Sequence, residues 1–277
     1  MMALKKYLVV HLTVLLACST VYAFDDLSSG LSGHYASMNF SVRATTVGKA
    51  RVIGEKSERY YKRLLKKLRY GGMLKKKCRI YIYSNHEAYI QSLRSAGIKI
   101  PAWSGGCHLP RRHYEFGYPV VCGFIEKRLL TEVLPHELTH AIFAEFVYGK
   151  RIIEKRLSPL PLWIDEGMAV YMQERSDYKQ VVKQAVSEGG YIRLKDLFIL
   201  KRYPKDEAKL KYFYAQSPSL VDFLLNKYPG GKFMSLAKKS VFSAKSDEEI
   251  LTSVYYGKIT SISQMEKLWI KFVKERY

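Results

Sequence analysis

Polar and apolar positions shift from short alternating runs to helical spacing part-way along the chain. After a polar, Ser/Gly-rich stretch near residues 28–37, the runs Asn39 to Arg43, Arg79 to Tyr83 and Pro119 to Ile125 read as strands. Val47 to Arg69 and Glu87 to Ser95 carry helical periodicity, and Gly, Pro and Arg crowd a loop from Pro101 to Tyr118. From Leu129 onward the pattern is mostly helical: two apolar helices, opening near Leu129 and at Pro161, are followed by Ser217 to Lys227, Phe233 to Lys239, Asp247 to Tyr255 and Ser263 to Lys274. That order predicts an α+β fold with a mixed α/β lobe over about 38–150 and a mainly helical lobe over 151–277. Both belong to one domain spanning 24–277, and 48% hydrophobic content in 277 residues supplies a full core.

The first 23 residues read as a secretory leader. Lys5 and Lys6 form a charged start, Tyr7 to Ala17 an apolar stretch broken only by His11 and Thr13, and Val21-Tyr22-Ala23 a small-residue cleavage site before Phe24. Leu15-Leu16-Ala17-Cys18 keeps a second route open, in which Cys18 is lipidated and becomes the first residue. Either route predicts an exported protein, periplasmic, attached to the cell envelope or secreted. Of the cysteines beyond the leader, Cys107 and Cys122 enclose a Gly- and Pro-containing loop, and export permits a disulfide between them, with Cys78 left over.

Removing the leader deletes Lys5 and Lys6 from a formal charge of +21, leaving +19. Such an excess favours anionic partners, a membrane surface or glycans among them. Lys62, Arg63, Lys66, Lys67, Arg69, Lys75, Lys76 and Lys77 form the densest basic cluster, and around Tyr61, Leu64, Leu65 and Leu68 it reads as the solvated face of an amphipathic helix. No nucleic-acid motif accompanies it, so no specific nucleic acid is expected. A nucleic-acid- or membrane-binding protein with an incidental metal motif is the competing class, and steeply salt-dependent DNA binding would mark the first.

The strongest chemical signal is His136-Glu137-Leu138-Thr139-His140, an H-E-x-x-H unit. On a helix, residues four apart share a face, so both imidazoles can converge on one cation, while the Glu137 carboxylate beside them stays available to take a proton from an activated water. Leu134, Ala141, Ile142, Phe143, Ala144, Phe146 and Val147 surround the unit, and a helix apolar all round is buried. Buried imidazoles and a buried carboxylate need partners, which a divalent metal and a water supply. Pro135 fits a helix that begins there, with Thr131 to Leu134 as a lead-in turn.

A hydrolytic zinc takes three protein ligands and keeps a fourth position for water. The segment Pro161-Leu162-Trp163-Ile164-Asp165-Glu166-Gly167-Met168-Ala169 offers the third. With the H-E-x-x-H unit it resembles the gluzincin zinc metallopeptidases, the thermolysin-like group, and more closely their peptidase-MA-like families with a P-x-W-x-x-E-G-x-A segment. The resemblance is specific over residues 131–175. It implies one Zn2+ per chain on His136, His140 and Glu166, Glu137 as general base, and a tyrosine donating to the oxyanion, for which Tyr212 and Tyr214 are candidates and Tyr214 the preferred one. The substrate it implies is a peptide or protein, cleaved by endo- or exopeptidase action. By the same analogy Val120 to Phe124 is the sheet edge on which an extended substrate pairs, against the alternative of an ordinary internal strand. Asp165 remains an alternative ligand, with capping of its own helix as its other role. Cys107 is a further alternative third ligand, by a weaker similarity to peptide deformylases. Ligand spacing speaks to binding and not to turnover, so a metal-binding but proteolytically inactive envelope or scaffold protein stays open as well.

Overall fold

A computed structural model describes residues 27–109, 117–153, 157–174 and 177–277. The leader expected over residues 1–23, with Cys18, lies outside these residues. The described residues divide into two units: residues 27–63 with 72–153, and residues 64–71 with 157–277.

The first unit is built on a five-stranded mixed sheet. Its strands are β1 (Gly33–Ala36), β2 (Phe40–Ala44), β3 (Cys78–Tyr83), β4 (Gly106–Leu109) and β5 (Val120–Phe124), in the order β1-β2-β3-β5-β4. β2, β3 and β5 run parallel, and β1 and β4 add antiparallel edges. Parallel strands are joined by helical crossovers that cover the sheet, so central strands are apolar on both faces. β3 fits this rule, with Cys78, Ile80, Tyr81, Ile82 and Tyr83 all buried. The crossovers are α1 (Val47–Leu68) and α2 (His86–Ser95). Tyr89 and Leu93 of α2 join Tyr81, Tyr83, Cys107 and Cys122 in one apolar cluster. On α1, Gly54 lets the helix lie against β1 and β2, since a Cβ there would come within 2.5 Å of the Tyr35 ring.

The three strands legible from the sequence are present within a residue or so at each end, and the two edges are new. β1 falls in the Ser/Gly-rich stretch and β4 in the segment expected to be all loop. Each is four residues long with partly exposed positions, so neither shows an apolar run of its own. β4 also overturns the expectation that Val120 to Phe124 is an edge. β5 lies between β3 and β4, and Val120, Val121 and Cys122 are fully covered because neighbours occupy both sides.

The second unit is helical, as the sequence predicts. It contains α4 (Leu162–Tyr171), α5 (Tyr178–Glu188), α6 (Leu194–Phe198), α7 (Glu207–Lys227), α8 (Gly230–Phe242), α9 (Asp247–Val254) and α10 (Ile262–Arg276). α7 is its hub, packing on α4, α5, α8 and α10. The helix expected from Ser217 starts ten residues earlier, where the Asp206 side chain accepts from the Lys209 amide at 2.8 Å. Pro218 sits inside α7. α5 and α6 are short and went unassigned in the sequence reading.

Gly167 explains how closely α4 approaches α7. A Cβ at this position would stand 2.7 Å from the Ser217 carbonyl oxygen and 3.0 Å from Val221 Cγ2, so only hydrogen fits without displacing backbone. Trp163 stacks on Phe198 at 4.7 Å and 9°, fixing α4 against α6, and Trp269 Nε1 donates to Ser219 Oγ at 3.0 Å, tying α10 to α7. Among the described residues no helix is long and apolar enough to cross a membrane.

Candidate metal centre

The H-E-x-x-H unit lies on α3 (Leu134–Tyr148), in which every residue except Ala144 is buried. The helix opens one residue before Pro135, and a π-helical turn, Leu129–Val133, runs directly into it. Wide turns suit this entry. In a π turn the amide of residue i bonds the carbonyl of residue i−5, and the Leu134 amide does so with Leu129. The next donor would be Pro135, which has no N–H. The Leu130 carbonyl it leaves over accepts instead from the Tyr60 hydroxyl of α1. Thr139 Oγ1 donates back to the Pro135 carbonyl at 2.6 Å.

His136 and His140, 0% and 1% exposed, meet edge to face at 4.8 Å and 72°, with their Nε2 atoms 3.1 Å apart. Zinc–nitrogen bonds of about 2.0–2.1 Å in tetrahedral geometry place two ligand nitrogens about 3.3 Å apart. The imidazole pair therefore fits a shared divalent cation, and its buried nitrogen donors suit zinc chemistry.

Glu137, 0% exposed, turns toward β4. Gly106 gives it room: a Cβ on Gly106 would stand 2.6 Å from Val133 Cγ1 and 3.4 Å from Glu137 Cγ. Two residues on, and so on the same face of the strand, His108 stacks on His140 at 4.8 Å and 21° and brings Nδ1 to 3.5 Å from Glu137 Oε2. His108 was missed in the sequence. Its one signal there is its place as a polar residue between apolar Cys107 and Leu109.

Alternation along β4 removes Cys107 as an alternative third ligand. It faces away from His108, into the apolar cluster with Tyr83, Tyr89 and Cys122. Cys107 and Cys122 stand opposite each other in the β4–β5 register and are free thiols, as is Cys78. Burial pushes the Cys122 thiol well above its ordinary pKa.

In the second unit Glu166, 1% exposed, lies on α4. Its Oε1 accepts from the Tyr203 hydroxyl at 2.6 Å. Tyr203 belongs to the turn before α7 and nothing in the sequence singled it out. Tyr214, the preferred oxyanion donor, stacks on the Tyr203 ring at 6.0 Å and 18°. Tyr212 packs over Gly190, where a Cβ would approach its ring to 3.2 Å. Asp165 is partly exposed in the first turn of α4, and the N-cap position is held by Pro161.

A family model described as the Peptidase MA superfamily matches residues 62–275. The chain belongs to this superfamily. Peptidase MA membership makes it a metallopeptidase, a metal-dependent hydrolase acting on peptides, and the match extends far beyond the 131–175 segment in which the resemblance was legible. Compared with curated proteins, the chain has no match. The mixed five-stranded sheet followed by a helical part agrees with the α+β fold expected of Peptidase MA.

Proposed function

We propose that this Peptidase MA protein hydrolyses peptide bonds with one zinc ion held by His136, His140 and Glu166, and with Glu137 as its general base. The observation that carries the reading is the pair of buried imidazoles, whose Nε2 atoms stand 3.1 Å apart on α3, with the buried Glu166 carboxylate as the third donor that the H-E-x-x-H pattern calls for. Two neutral imidazoles and one carboxylate make a three-ligand set of the kind hydrolytic zinc uses, with a fourth position left for water. A zinc ion in that set supplies Lewis-acid activation of the water and of the peptide carbonyl. Glu137 takes the proton of the attacking water and delivers it to the departing amine nitrogen, so that one carboxylate serves as base and then as acid. His108, against both Glu137 and His140, confines these two side chains on the strand side.

Purified protein is expected to carry about one zinc per chain and to cleave members of a fluorescence-quenched peptide library. Removing the metal with a chelator should abolish cleavage, and zinc should restore it. Metal-free protein that cleaves at the full rate would refute the reading.

Export belongs to the same proposal. It is supported by the charged start, apolar stretch and small-residue site of residues 1–23. Sequencing the N-terminus of the exported protein should give Phe24. A lipid-blocked Cys18 would select the second processing route, and an uncleaved cytoplasmic chain would end the export reading.

A further inference from the structure

We propose that Tyr203 is a positioning residue of the metal centre, holding the Glu166 carboxylate through one oxygen so that it meets the cation through the other. This inference rests on the reading of Glu166 as the third ligand. The hydroxyl donates to Glu166 Oε1 at 2.6 Å, a short contact of the kind formed with a charged acceptor. A carboxylate can swing about its last bond, and a donor fixed on one oxygen sets the plane of the group. Outer hydrogen bonds of this type orient ligands and tune how strongly they bind.

The tyrosine is itself held. Phe213 meets its ring edge-on at 6.0 Å and 83°, and Tyr214 stacks on it at 6.0 Å and 18°, both rings coming from α7. α7 in turn fits closely against α4 at Gly167, the residue next to Glu166. The ligand's backbone and the group that orients its carboxylate are therefore both referred to one helix. Phenylalanine would keep the ring contacts and remove only the hydrogen bond.

The test titrates zinc into metal-free full-length protein against a chromophoric chelator, for the parent, Tyr203→Phe, Glu166→Ala and the double variant, and records the visible spectrum of each cobalt-substituted form. Tyr203→Phe is expected to weaken zinc binding roughly 10–100-fold and to shift the cobalt spectrum. Glu166→Ala should weaken it further, and adding Tyr203→Phe to that variant should change nothing more, because the tyrosine acts through the carboxylate. Unchanged affinity and spectrum in Tyr203→Phe, with a loss in Glu166→Ala, would overturn this inference and leave the ligand assignment standing. Unchanged affinity in Glu166→Ala would remove the assignment itself. An equal loss from Tyr203→Phe in both backgrounds, or a loss accompanied by a collapsed thermal transition of the metal-free protein, would assign Tyr203 to the fold and also overturn the inference.

Discussion

Glu137→Gln is expected to lower peptide hydrolysis by about 10²–10⁴-fold while leaving roughly one zinc per chain, the range that removal of a general acid–base group commonly costs. The amide has nearly the shape of the carboxylate but cannot accept the proton of the attacking water. Glu137 is fully buried with its Oε2 3.5 Å from His108, and the substitution leaves both imidazole nitrogen donors in the chain. Replacing a buried anion by a neutral isostere also relieves desolvation, and the thermal transition should not fall. Cleavage rates on the peptide library, paired with elemental analysis of the same samples, separate the two effects. A variant as fast as the parent would assign the base elsewhere, and a variant that loses its zinc would place Glu137 among the ligands.

The second large effect is expected from Glu166→Ala. Removing one of three protein ligands should weaken zinc binding beyond the ~100-fold that loss of an outer hydrogen-bonding partner typically costs. The truncation also strips the Tyr203 hydroxyl of its acceptor. Zinc retained after exhaustive dialysis, measured against the parent, is the readout, and an unchanged content would exclude Glu166 from coordination. Hydrolysis should fall with the metal, since the water and the carbonyl both depend on it.

What the sequence made legible follows the range of the interactions involved. His136 and His140 are one turn apart on one helix, a relation that four residues of sequence contain in full, and the structure puts their nitrogens 3.1 Å apart. The burial of α3 was legible for the same reason, from apolar residues on all sides. β3 and β5 announced themselves by continuous apolar runs because both of their faces are covered. β1 and β4 did not, since a short edge strand is defined by its partner, and with β4 went His108, whose neighbours lie about thirty residues away on α3. Tyr203 was invisible on the same grounds. Its bond to Glu166 spans 37 positions and joins a turn to a helix, and among 22 tyrosines nothing local marks it. α7, expected only from Ser217, begins at Glu207 and holds Pro218 inside it, because a helix with four packed neighbours can carry an internal proline that an isolated one would not.

Pro135 stands in the first turn of α3. Because the carbonyl it leaves over is taken by a hydroxyl from α1, the start of α3 is spliced to an element some seventy residues upstream. A lesion at Tyr60, remote from every proposed ligand, would therefore fray α3 from its first turn and be felt as a slackened grip on the cation.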